Sequence, residues 1–95
     1  MIYNLDFHPT AFKEWKSLDA PIRDQFKQKL SERLQHPHHQ ASKLSGQKGC
    51  YKIKLRAVGY RLVYEVRDNE LVVIVISVGK RERNAVYNNA ITRRK

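Results

Sequence analysis

From Tyr51 to Val66 the chain alternates with a period of two. Tyr51, Ile53 and Leu55 are separated by Lys52 and Lys54, and Arg56 follows. After Ala57-Val58-Gly59 the alternation resumes, with Tyr60, Leu62, Tyr64 and Val66 set against Arg61, Val63 and Glu65. Side chains two apart on a strand share a face, so each run reads as a strand with one apolar side. The short glycine-bearing gap turns one strand back onto the other. Lys52, Lys54, Arg56 and Arg61 then project together from the face away from the core. A third run, Leu71 to Val78, is apolar but for Ser77, as expected of a strand that is central or covered on both faces. Asp68-Asn69 is expected to turn the chain into it, and Gly79 to break it.

The first half completes the architecture. Tyr3, Leu5 and Phe7 alternate with Asn4 and Asp6, which predicts a strand over 2–7. His8-Pro9 opens a short helix, since proline is tolerated in a first turn, with Ala11, Phe12, Trp15 and Leu18 at helical spacing. A second helix starts at Asp19-Ala20-Pro21, buries Ile22, Phe26, Leu30 and Leu34, and stops near His36-Pro37. Lys43 to Gly49 is polar and turn-rich. A short terminal helix is expected from Arg81 to about Ala90, followed by a frayed basic tail from Thr92 to Lys95. The order β-α-α-β-β-β(-α) predicts an α+β fold: a mainly antiparallel four-stranded sheet with a helical hairpin on one side and a short C-terminal helix. Ninety-five residues suit one domain, 1–95, and 41% hydrophobic residues suffice for a core.

The charge of +10 is unevenly spread. Residues 1–42 carry six basic and five acidic side chains, whereas residues 43–95 carry thirteen and four. A one-sided basic field favours polyanions, so RNA, DNA, the ribosome or an acidic protein are the expected partners. No apolar run approaches the roughly 20 residues of a membrane span, and no secretion signal is read at the N-terminus. The single cysteine, Cys50, has no partner for an internal disulfide. These features fit a reducing cytoplasm and no membrane.

The row on residues 52–56 carries the chemistry. Crowded cations lower the pKa of a lysine and make a neutral amine available as a general base. The remaining cations can stabilise charge building on phosphorus. That set suits RNA cleavage in which a 2′-hydroxyl attacks its own 3′-phosphate, with no metal, cofactor or nucleophilic side chain. Gly79-Lys80-Arg81-Glu82-Arg83 can reach the same place, and Tyr87 can stack on a base or orient the ribose. From spacing alone, a basic face that only grips phosphate is the first reading and catalysis the second. A two-metal nuclease lacks clustered carboxylates in the basic half. His36-Pro37-His38-His39 reads as a solvated loop before a metal site. Cys50 reads as a small buried residue.

Three segments give a resemblance. Residues 50–56 (CYKIKLR), 59–64 (GYRLVY) and 76–83 (ISVGKRER) closely resemble the RelE family of bacterial toxins. Leu5-Asp6-Phe7, Lys13-Glu14-Trp15, Ala41, Lys43 and Leu44 match as well, without gaps to about Tyr87. The wider superfamily includes ParE-like gyrase poisons. The resemblance implies the toxin of a type II toxin–antitoxin pair: a ribosome-dependent, metal-independent endoribonuclease that cuts mRNA in the A site and inhibits translation. It implies a RelB-like antitoxin as partner and repression of the shared operon, with operator DNA bound only by the toxin–antitoxin complex. It places the catalytic groups on Lys52, Lys54, Arg61, Arg81 and Tyr87. Lys54, aided by Lys52, is base or charge stabiliser; Arg61 holds the phosphate; Arg81 is the candidate acid; Tyr87 orients the substrate. Lys43, Lys48, Arg56, Lys80 and Arg83 are the expected RNA- and ribosome-binding residues. Ser45 stands where the family's best-known member has a basic residue, and the tail from Asn88 diverges. A non-enzymatic gyrase-inhibiting toxin and a plain basic RNA- or ribosome-binding module are the alternatives.

Overall fold

In the computed structural model, which describes residues 2–82 and 84–94, strand β1 (Asn4–Phe7) leads into two helices, α1 (Pro9–Lys16) and α2 (Ala20–Gln35). The His8 side chain caps α1 by accepting from the Thr10 amide at 3.2 Å, with Pro9 in the first turn. At its far end α2 stops at His36, whose backbone has left the helical region (φ −139°, ψ 73°) before Pro37. Strands β2 (Cys50–Leu55), β3 (Tyr60–Arg67) and β4 (Val72–Lys80) follow, then helix α3 (Ala85–Arg94).

The sheet order is β1-β4-β3-β2. β2 pairs antiparallel with β3, and β3 with β4, while β1 joins β4 in parallel. The sheet is therefore mixed and mainly antiparallel. β4 is central, which explains its apolar run, interrupted only by Ser77: Val73, Val75 and Val78 enter the core under α1 and α2, while Ile74 and Ile76 pack on the other face, against α3. A bulge sets Val63 opposite Ser77 and Tyr64 opposite Val75, leaving Ile76 unpaired. That extra residue shifts which side chains face which layer, so simple alternation fails in β4.

Two expectations are corrected. Gly79 does not break β4, which continues through Gly79 opposite Arg61 and Lys80 opposite Tyr60. The last helix starts later and ends later than its sequence pattern indicates. Asn84 takes a left-handed turn (φ 63°) before it, and its final turn is fastened rather than frayed. Arg93 makes a two-pronged pair with Glu14 of α1 at 2.8 and 3.0 Å and donates to the Ile76 carbonyl. Arg94 donates to Glu65 at 2.7 Å, to the Gln47 side chain and to the Lys48 carbonyl.

The main core joins Phe26, Leu30, Trp15 and Ala11 to Tyr51, Ile53, Leu62 and Tyr64. Burying a side chain such as Phe26, Leu30, Ile53 or Leu62 contributes about 1.5–3 kcal/mol. The second core joins Cys50, Val63, Ile76, Val86 and Ala90. The helices thus lie on both faces of the sheet, with the hairpin on one and α3 on the other.

Candidate active site

β2 is an edge strand, and its alternation sends Tyr51, Ile53 and Leu55 into the core. Lys52, Lys54 and Arg56 are left on the opposite side, at steps of about 7 Å per residue pair. Arg61 of β3 lies directly across from Lys54. Arg81 is brought alongside because its amide donates to the Gly59 carbonyl at 2.7 Å, tying the end of β4 to the β2–β3 turn. From the other direction α3 presents Tyr87, whose ring lies 5.8 Å from the Lys52 ammonium. Such an interaction adds about 0.5–1 kcal/mol at an exposed site and orients both groups.

Lys52, Lys54, Arg56, Arg61, Arg81, Asn84 and Tyr87 line one open cleft of about 470 Å³. No carboxylate lines it among the described residues. The Lys54 pKa is lowered, first by the neighbouring Lys52 charge, then by desolvation and by Arg56, Arg61 and Arg81. Arg61 departs from its expected exposure. It is only 7% exposed, and one guanidinium nitrogen donates to the Tyr60 carbonyl at 2.9 Å. Val63, assigned to the same outer face, is fully buried under α3. The face is an open basic row only around Lys54 and Arg56, and elsewhere is roofed by the last helix.

Of the remaining predicted binding residues, Arg56 joins the cleft. Lys43 and Lys48 line a separate cavity with Ser45, Gly46, Tyr51, His38 and Asp68. Lys80 is exposed at the end of β4 and lines neither. Arg83 lies outside the described residues.

Two groups near the site escaped the sequence reading. Asn84 enters the cleft through its left-handed backbone. Arg33 reaches β2 from α2, donating to the Lys52 carbonyl (3.4 Å), to the Tyr64 hydroxyl (3.0 Å) and to Ser42 Oγ (3.1 Å). A signal for it existed: Arg33 is seven residues after Phe26 and three after Leu30, on the border of the buried stripe.

The histidine loop is structural. His38 bridges the Tyr51 hydroxyl (3.1 Å) and Asp68 (2.8 Å), and Asp68 also accepts from Tyr3 at 2.6 Å. The hydrogen bonds from Tyr3 and His38 hold the Asp68 carboxyl below its usual pKa. Among the described residues no group of three histidine, cysteine or carboxylate side chains is placed to hold a metal ion. Cys50 is buried, and burial pushes its thiol up to about 11, out of the range of a nucleophile at neutral pH.

Residues 5–85 match the family model described as the ParE toxin of the type II toxin–antitoxin system parDE. The chain is 56% identical over 93 residues to the mRNA interferase toxin RelE of Escherichia coli strain K12, covering 98% of each chain. It is 52% identical, with the same coverage, to a putative RelE-like toxin protein of Escherichia coli. Among solved structures, the free Escherichia coli toxin RelE, as a double arginine mutant, superimposes with a TM-score of 0.91 at 54% identity, covering 98% of both chains. The toxin in the intact Escherichia coli RelBE toxin–antitoxin complex superimposes at 0.82 with 57% identity, over 85% of this chain and 99% of that one.

Proposed function

The chain belongs to the RelE family, within the RelE/ParE superfamily of toxins, and from that premise we propose that its basic cleft cuts messenger RNA by turning a 2′-hydroxyl of the substrate on the adjoining phosphate. It is the toxin of a type II toxin–antitoxin pair, an mRNA interferase neutralised by a RelB-like antitoxin. The observation that carries the cleavage chemistry is the convergence of Lys52, Lys54, Arg61, Arg81 and Tyr87 on one cleft with no acid in its lining and with the Lys54 pKa lowered by its neighbours.

Each residue then has a part. Neutral Lys54 takes the proton from the 2′-hydroxyl as that oxygen bonds to phosphorus. Arg61, backed by its hydrogen bond to Tyr60, holds the non-bridging oxygens as their charge grows, and Lys52 adds a second positive centre beside it. Arg81 attends the 5′-oxygen that departs. A guanidinium holds its proton too tightly to be a strong acid, so its main contribution there is charge; the departing oxygen takes its proton from solvent water, and Lys54 returns the one it accepted to solvent. Tyr87 stacks on a base and fixes the ribose. The products are a 2′,3′-cyclic phosphate and a 5′-hydroxyl, and the substrate supplies its own nucleophile. The site lacks a strong base, so in-line geometry has to be imposed from outside. The ribosomal A site is the proposed source of that geometry, and the cytoplasm the place of action. No helix among the described residues is long and apolar enough to cross a membrane. With the antitoxin, the toxin represses its own operon and tunes DNA binding rather than reading bases.

The test is one mRNA incubated with purified protein, free and on ribosomes with an empty A site, with cuts mapped by primer extension. Cleavage confined to the A-site codon, ending in a cyclic phosphate, is expected. Equal cutting of free RNA makes the protein a general ribonuclease. No cutting by folded protein, with DNA damage signalling in cells, makes it a gyrase poison on the same fold.

A further inference from the structure

A second basic cavity flanks the cleft. It has a volume of about 290 Å³ and is lined by Arg33, Ala41, Ser42, Lys52, Lys54 and Arg56. Lys52, Lys54 and Arg56 belong to both cavities, so the row on β2 is a ridge with a basin on either side. The second basin brings four cations together and has no acid in its lining among the described residues.

Arg33 is the unusual member. It is half-buried, and its hydrogen bonds go to a carbonyl and two hydroxyls, all neutral. Among the described residues no carboxylate pairs with it, whereas Arg67, Arg93 and Arg94 each have one. A desolvated charge without a counter-charge is costly unless a ligand supplies one. The guanidinium is also held in place. It lies 5.8 Å from the ring of fully buried Tyr64, whose hydroxyl is in turn anchored to the Pro37 carbonyl at 2.8 Å. Three of its five N–H donors are engaged and two remain. A fixed fork with spare donors, in a basin of uniform positive charge, is built for a phosphate.

We propose that Arg33, with Ser42 and the Lys52 side of β2, forms a second subsite that binds the backbone phosphate next to the scissile one, so that the RNA strand crosses the β2 edge with one phosphate in each basin. This rests on the reading of the larger cleft as the place of RNA cleavage.

The test is binding of 2′-O-methylated di- and trinucleotides, which carry one and two linking phosphates and cannot be cut, followed by NMR titration of the full chain. The wild type is expected to bind the trinucleotide several-fold tighter than the dinucleotide, with the Arg33 Nε–H signal moving only for the trinucleotide. Arg33→Gln should abolish the gain from the second phosphate and leave dinucleotide binding unchanged. Ser42→Asp should do the same while supplying Arg33 with a carboxylate, so it remains decisive if the Gln variant fails to fold. Arg61→Gln should instead weaken the dinucleotide. A gain that is absent in the wild type, or that survives in Arg33→Gln or Ser42→Asp, overturns the subsite and leaves the cleavage reading standing. Failure of the wild type to bind either ligand also overturns the subsite, and the ribosome cleavage assay then decides separately whether the larger cleft cuts RNA.

Discussion

Four cations surround the Lys54 ammonium (Lys52 foremost, then Arg56, Arg61 and Arg81), and each makes a further positive charge there less favourable. If neutral Lys54 is the base, the single-turnover rate on ribosomes rises with pH up to its lowered pKa and then levels off. Lys52→Ala removes the largest cause of that lowering, so the inflection should move to higher pH. An unmoved inflection assigns the base elsewhere. Arg61→Ala, which removes a fixed donor to the developing charge, should reduce cleavage by roughly 10²–10³-fold while the protein remains folded. Wild-type cleavage in that variant removes Arg61 from the site. At this scale the reading from sequence was half complete. Strand parity put Lys52, Lys54 and Arg56 on one face, because parity is a local property of the backbone. The burial of Arg61 and Val63 was not legible, because it depends on α3, a helix more than twenty residues away that folds back over β3.

α3 positions Tyr87, and what positions α3 is its last turn. Glu65 accepts from both Arg94 and Arg67, which hold its carboxyl below the usual range against the opposing effect of its burial. A carboxyl with a depressed folded pKa stabilises fully above its unfolded value and loses that contribution as pH falls through the folded one. The protection of amides in 85–94 against exchange, relative to their intrinsic rates at each pH, should therefore fall on acidification below the ordinary glutamate range, ahead of the sheet. At neutral pH, Glu65→Gln should weaken α3 docking by about 2 kcal/mol, the worth of a hydrogen bond to a charged group. Cys50 reports on it: the thiol lies under α3, so its reaction with a thiol reagent should be slow in the wild type and faster in Glu65→Gln. Equal labelling rates mean that α3 is held without Glu65, by the Arg93–Glu14 pair and the packing of Val86 and Ala90. The element order and the helix stop at His36-Pro37 were legible, since periodicity and proline act locally. The run of β4 through Gly79 and the helical Thr92–Arg94 were not. Ladder pairing with Arg61 overrides one cue and carboxylates far along the chain, Glu14 and Glu65, override the other.

For the whole molecule, the surplus of charge in residues 43–95 is divided by the fold into parts with different tasks. Arg67, Arg93 and Arg94 are engaged with carboxylates and add little to an external field. Lys52, Lys54, Arg56, Arg61 and Arg81 form the cleft, while Lys43, Lys48 and Lys80 lie outside it. If those outer lysines touch ribosomal RNA, they act on affinity through counterion release. Removing one such lysine–phosphate pairing should flatten the plot of log K against log salt by about 0.7–0.9. Lys48→Glu with Lys80→Glu should then weaken ribosome binding and flatten its salt dependence by more than a single phosphate's share. Lys16→Glu with Lys27→Glu changes net charge equally at exposed positions on α1 and α2 that line neither basic cavity. That pair should leave the slope near the wild-type value. Equal flattening by the two pairs would mean that the protein meets the ribosome through its overall charge, with no fixed docking point at Lys48 or Lys80. A difference between them would place the docking face beside the cleft, where a toxin that has to present Lys54 and Arg61 to one phosphate needs it.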